Sequence, residues 1–148
     1  MTRREKLADA LLLATVLFIW GHSLMPGSVS GEESSRVLRL LQPFLELFLG
    51  KGKVTEHLVR KLAHFSEYAV LGAVLGFREH TVKGKKTGFA ELCAKALFVC
   101  FLDETIQLFV PDRAGMVQDM WIDLSGAAFG MLMFLALRRI VLWRKHGD

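Results

Sequence analysis

Basic, acidic and imidazole side chains recur at helical spacing in a chain otherwise dominated by apolar runs. Arg60, Lys61, His64, Glu67 and Tyr68 fall on one helix face at i, i+3, i+4 and i+7. Asp103, Glu104 and Gln107 share a second face, and Asp119 and Asp123 stand at i, i+4 on a third. His22 and Ser23 close an earlier apolar run. His64, Glu67 and Glu104 are the candidate catalytic set, since a protonated carboxyl among them can act as general acid with His64 as base. Asp103, Asp119 and Asp123 are the candidate metal ligands, with His64 and Glu67 able to join them. Such oxygen-rich sets suit magnesium, calcium or manganese, and one imidazole also admits zinc, so a divalent cation is the cofactor to expect if there is one. Lys61, Tyr68, Gln107 and Arg113 are the candidate binding residues, and Arg60, Lys61 and Arg113 offer positive charge to a phosphate or carboxylate. There is no Gly-rich phosphate loop, nucleophile elbow or Cys-pair metal motif.

The elements that must position these residues read as membrane helices. Of 148 residues, 52% are hydrophobic and 23% charged, and the charges sit mostly in short clusters between long apolar stretches. The run from Ala10 to Gly31 carries no Asp, Glu, Lys or Arg, which is what a span of about 20 residues through lipid requires. Spans are predicted at Leu7–Met25, Leu58–Phe77, Phe89–Val110 and Asp119–Leu142, with Pro26-Gly27 and Pro111 as breakers. The third is the least apolar, interrupted by Glu91, Lys95, Asp103 and Glu104. Glu91 and Lys95 can snorkel or pair at i, i+4. The expected fold is all-α: one transmembrane domain over 1–148, a bundle of four helices with an outer-face interfacial helix.

Lys and Arg set the orientation. Eleven lie in the two tails and the middle connection (Arg3, Arg4 and Lys6; Arg78, Lys83, Lys85 and Lys86; Arg138, Arg139, Arg144 and Lys145), against five in the other two connections. Both termini are therefore expected in the cytoplasm. The same asymmetry accounts for the net charge of +4 without nucleic acid. The first span lacks an A-x-A-type cleavage site and is expected to be retained. Cys93 and Cys100, two turns apart on one helix, are expected to be packing residues. In the long outer connection, Ser30 and Glu33 read as a capping box ahead of an amphipathic helix kinked at Pro43, lying in the outer interface or packed on the bundle's mouth.

With this orientation, all four spans bring polar groups to the outer leaflet. Each ionisable group there costs on the order of 2.5–3.5 kcal/mol on insertion scales, so these groups should face the bundle interior. Gly72 and Gly76, and Gly126, Ala127 and Gly130, provide small faces for close helix approach. A Lys61–Glu67 or Arg113–Asp119 ion pair taken singly need only hold helix register. Some ten such groups on one leaflet point to an outward-opening polar pocket.

Lys61-Leu62-Ala63-His64-Phe65-Ser66-Glu67-Tyr68 with Leu71-Gly72 resembles the K-x-x-H-F-x-E-Y-x-x-L-G signature of the VanZ-like family. Asp103-Glu104, Gln107, Phe109, Pro111, Arg113, Asp119, Asp123, Gly126 and Gly130 resemble its second block. Asp112 stands where the family often has Gly, and Asp123 where many members have Asn. The resemblance implies a small multi-pass protein of the bacterial cytoplasmic membrane, in a family linked through its best-known member to low-level teicoplanin resistance. It supplies no settled reaction. Three functions are open: binding or shielding a cell-envelope component, metal-dependent hydrolysis or transfer on a phosphorylated or glycosylated lipid headgroup, and proton-coupled transport. Four short helices offer little for alternating access unless the chain oligomerises. The expected partners are membrane lipids or lipid-linked cell-wall precursors.

Overall fold

A computed structural model describes residues 1–82 and 87–146, the side chains of 145 and 146 excepted. Lys83, Lys85 and Lys86 of the middle connection, and the side chain of Lys145, lie outside the described residues. The described residues form five helices and no strand: α1 (Arg3–Ser23), α2 (Gly27–Leu49), α3 (Glu56–Thr81), α4 (Phe89–Gln107) and α5 (Val117–His146). Four of them occupy the stretches expected to span, and α2 fills the long connection.

The helix ends follow local chemistry. Thr2 and Glu5 form a reciprocal capping box at the start of α1, with Glu5 N–H donating to Thr2 Oγ1 at 3.2 Å and Thr2 N–H to Glu5 Oε2 at 2.7 Å. Thr55 caps α3 by accepting from Leu58 N–H at 3.2 Å. The expected box at Ser30 and Glu33 does not form, because α2 already begins at Gly27 with Pro26 as its N-cap. Pro26 already restricts the backbone there, and Gly27 N–H donates to the Pro111 carbonyl at 3.0 Å. Ser30 is thus buried inside α2, and the helix runs on through Pro43.

α3 and α5 form the main contact of the bundle. A Cβ at Gly72 would stand 1.9 Å from the Ala127 carbonyl oxygen, and one at Gly130 would stand 1.8 Å from that of Ala69. The two backbones therefore touch, as small-residue faces permit. α1 packs on α3 and α4, α4 also on α5 and α3, and α2 on the first part of α3. The apolar core joins Ile19, Tyr68, Leu71, Leu75, Ala96, Cys100 and Met131. Cys100 is buried in it, and Cys93 packs at its margin.

Outside that core the usual order of burial is inverted. Leu13, Leu17 and Phe18 of α1, Phe98 and Phe101 of α4, and Phe129 and Leu132 of α5 are half exposed or more, while Asp103 and Asp123 have no accessible surface. By length and composition, α1 and α5 can each cross a membrane. α3 and α4 are as long as such helices must be, but charged residues lower their apolarity. On α2, Leu40, Phe44, Leu47 and Phe48 form an uncovered apolar stripe.

At the end of the bundle away from these carboxylates, the structure adds a contact between α1 and α3: Arg78 Nε donates to Asp9 Oδ1 at 2.6 Å. Glu91 and Lys95 pair at 3.1 Å on α4.

Candidate functional site

The close approach of α3 and α5 sets two polar rungs one helical turn apart. Lys61 Nζ lies 3.5 Å from Asp119 Oδ1, and His64 Nδ1 lies 3.7 Å from Asp123 Oδ1. Gly126 makes room for the second rung, since a Cβ there would meet the Phe65 carbonyl oxygen at 2.4 Å. Lys61 thus pairs with Asp119 rather than Glu67.

α4 closes the inner rung from the side. Donor atoms of His64, Asp103 and Asp123 all lie within 4.8 Å of one another, and all three residues are buried. Of the three expected metal ligands, Asp103 and Asp123 are brought together here, while Asp119 faces Lys61 in the outer rung. His64 Nδ1, Asp103 Oδ1 and both Asp123 carboxylate oxygens are buried without a hydrogen-bond partner. The Tyr68 hydroxyl is buried beside them, against the Cys100 thiol and within electrostatic reach of both aspartates. Gln107 anchors the back of the cluster: its Nε2 donates to Asp103 Oδ2 and Ser23 Oγ at 3.3 Å each, and to Glu104 Oε1 at 3.5 Å.

Glu104 organises the neighbouring turn, its Oε2 accepting from Met116 N–H at 2.7 Å just before α5. Arg113 is spoken for in part. Its Nε donates to the Met25 carbonyl at 2.9 Å and its Nη2 to that of His22 at 3.0 Å, satisfying acceptors at the end of α1. It does not pair with Asp119. Burial and the nearby Arg60 guanidinium both push Arg113 below the ordinary arginine value. Before it, Asp112 takes the left-handed conformation, with φ 59°. That geometry favours glycine and tolerates aspartate.

Glu67 sits on the far side of α3, with Oε1 2.8 Å from His22 Nδ1. His22 Nε2 is in turn 3.5 Å from Glu33 Oε2 of α2, and the His22 and His64 rings stack with centroids 6.4 Å apart. Glu33 was not legible as a partner of His22, because its spacing from Ser30 reads as a local cap.

A cavity of about 210 Å³ opens over the cluster, lined by Arg60, Lys61, His64, Arg113, Asp119 and Asp123 among others. Gln107 also reaches it, whereas Glu67, Tyr68, Asp103 and Glu104 stand outside its lining. Of the cavity's basic groups, Lys61 and Arg113 have partners, while Arg60 Nε is buried without one.

An all-α chain with an apolar exterior and a carboxylate-rich interior defines a class of protein. The chain belongs to the VanZ/LLP1 family, whose model matches residues 10–139. No curated protein and no solved structure matches it.

Proposed function

We propose that this chain crosses the bacterial cytoplasmic membrane four times, through α1, α3, α4 and α5, with both termini in the cytoplasm. Its cavity faces outward and binds the anionic headgroup of an envelope lipid or lipid-linked cell-wall precursor. The observation that carries this reading is the inverted burial: Asp103 and Asp123 are fully enclosed while Phe18, Phe98 and Phe129 are exposed. In water that order is unfavourable on both counts; in a bilayer both terms change sign. The uncovered stripe of α2 then rests in the outer interface. Arg60 supports an anionic ligand, because its guanidinium lines the cavity close to the like-charged Arg113 and retains an unused donor.

A second reading, hydrolysis or transfer at the bound headgroup, is favoured by the histidine and two aspartates beside the cavity. One experiment addresses both. Lipid extracts and teicoplanin susceptibility are compared in cells carrying the wild-type chain, Arg60→Gln, or no copy. Binding alone changes susceptibility and leaves headgroups intact; chemistry changes the headgroups. In either case Arg60→Gln reduces the effect at least fivefold with normal membrane levels of protein. Identical lipids and susceptibility in all three strains would remove the reading.

A further inference from the structure

The inner rung has a composition that ordinary packing leaves unexplained. Three buried side chains bring four polar atoms together, His64 Nδ1, Asp103 Oδ1 and both Asp123 carboxylate oxygens, and none of these four has a hydrogen-bond partner. Buried polar atoms are nearly always satisfied, and a concentration of exceptions calls for a group that completes them. Asp103 and Asp123 bring two carboxylates. Lys61 and Arg113, which also line the cavity, serve elsewhere: Lys61 on Asp119, and Arg113 on the carbonyls of Met25 and His22.

We infer that His64, Asp103 and Asp123 hold one divalent first-row metal ion, manganese or zinc, beside the outward cavity. The inference names the cofactor of that cavity and rests on the proposed function for the ion's route of entry. One imidazole and two carboxylates match the ligand preferences of these ions better than those of calcium or magnesium, which favour all-oxygen sets. Two carboxylates and a neutral imidazole also balance a dication, so the filled site carries no net charge into its apolar surroundings. Donors about 2.1 Å from a tetrahedral centre lie roughly 3.4 Å apart. His64 Nδ1 and Asp123 Oδ1 are 3.7 Å apart, and the set as a whole falls within 4.8 Å, so side-chain rotation closes the shell. Gln107 supports it from outside by holding Asp103 Oδ2 and leaving Oδ1 directed elsewhere. Because His64 and Asp123 line the cavity, the ion keeps open positions there for water or an anionic oxygen.

The test uses the full chain in lipid nanodiscs, stripped with chelator and titrated with manganese chloride while free Mn²⁺ is followed by paramagnetic resonance. Zinc chloride is then added as competitor. One ion per chain is expected, with a rise in melting temperature on loading. Asp103→Asn and Asp123→Asn should each weaken binding at least tenfold. Their metal-free melting temperatures should equal or exceed that of the wild type, because each removes a buried charge. Glu91→Gln, at the other end of α4, should bind as the wild type does. A folded wild-type chain that takes up neither ion at millimolar concentration would overturn the inference, as would binding indifferent to both aspartate variants. A lipid effect that survives without metal binding removes this inference alone; metal binding without any lipid effect removes the headgroup reading alone.

Discussion

Asp112 carries the turn between α4 and α5 in the left-handed region, and its carbonyl oxygen is so close to Gly27 that a Cβ there would lie 1.9 Å away. The next residue, Arg113, ties the same turn to the end of α1. A strained residue, a glycine and a guanidinium thus tie the turn between α4 and α5 to the start of α2 and the end of α1 at the mouth of the cavity. Glycine at position 112 should leave stability unchanged or raise it by up to ~1 kcal/mol, whereas Asp112→Val should lower it by about 1–2 kcal/mol. Melting in detergent measures both, and a fully stable Asp112→Val would show that the turn is not strained. Asp112 departs from the glycine that the family motif often has here, and aspartate is accepted because it tolerates the left-handed backbone. Residue identity was less informative about partners. Lys61 and Glu67 lie six residues apart, on different sides of α3, so Lys61 pairs across to Asp119 while Glu67 meets His22. Helical spacing assigns side chains to faces, but the sliding of one helix past another selects which of them meet.

That sliding is settled at the scale of the element by backbone contact between α3 and α5. Gly72 seats against Ala127, and Gly130 against Ala69, so both rungs of the site depend on residues that make no polar contact themselves. Gly130→Val should therefore separate the helices, with a loss at least as large as the ~1–3 kcal/mol of an overpacked core. Gly21→Ala is the matching control: nothing lies within 4 Å of a Cβ there, and alanine should add up to ~1 kcal/mol through helix propensity. Detergent melting of the two variants, beside wild type, distinguishes them. Equal stability of Gly130→Val and wild type would deny the backbone contact its role. The small residues were readable as a pattern, and so were the four long helices, because apolar runs and breakers are local signals. The start of α2 was not, since it depends on Gly27 bonding to Pro111, a residue 84 positions away.

At the scale of the whole molecule, the proposed function depends on which surface meets lipid and which end faces out. The apolar perimeter, the enclosed aspartates and the distribution of Lys and Arg were each visible or implied in the sequence; the pairing of His22 with Glu33 and Glu67 was not. Direction across the membrane is the central claim, because an inward-facing cavity could not reach an external headgroup. The measurement is labelling of single cysteines with a membrane-impermeant maleimide, on a chain carrying Cys93→Ala and Cys100→Ala. Lys51→Cys and Ala114→Cys should react in intact spheroplasts, whereas Arg144→Cys should react only after the membrane is opened. Reaction of Arg144→Cys in intact spheroplasts, with Ala114→Cys protected until lysis, would contradict the account.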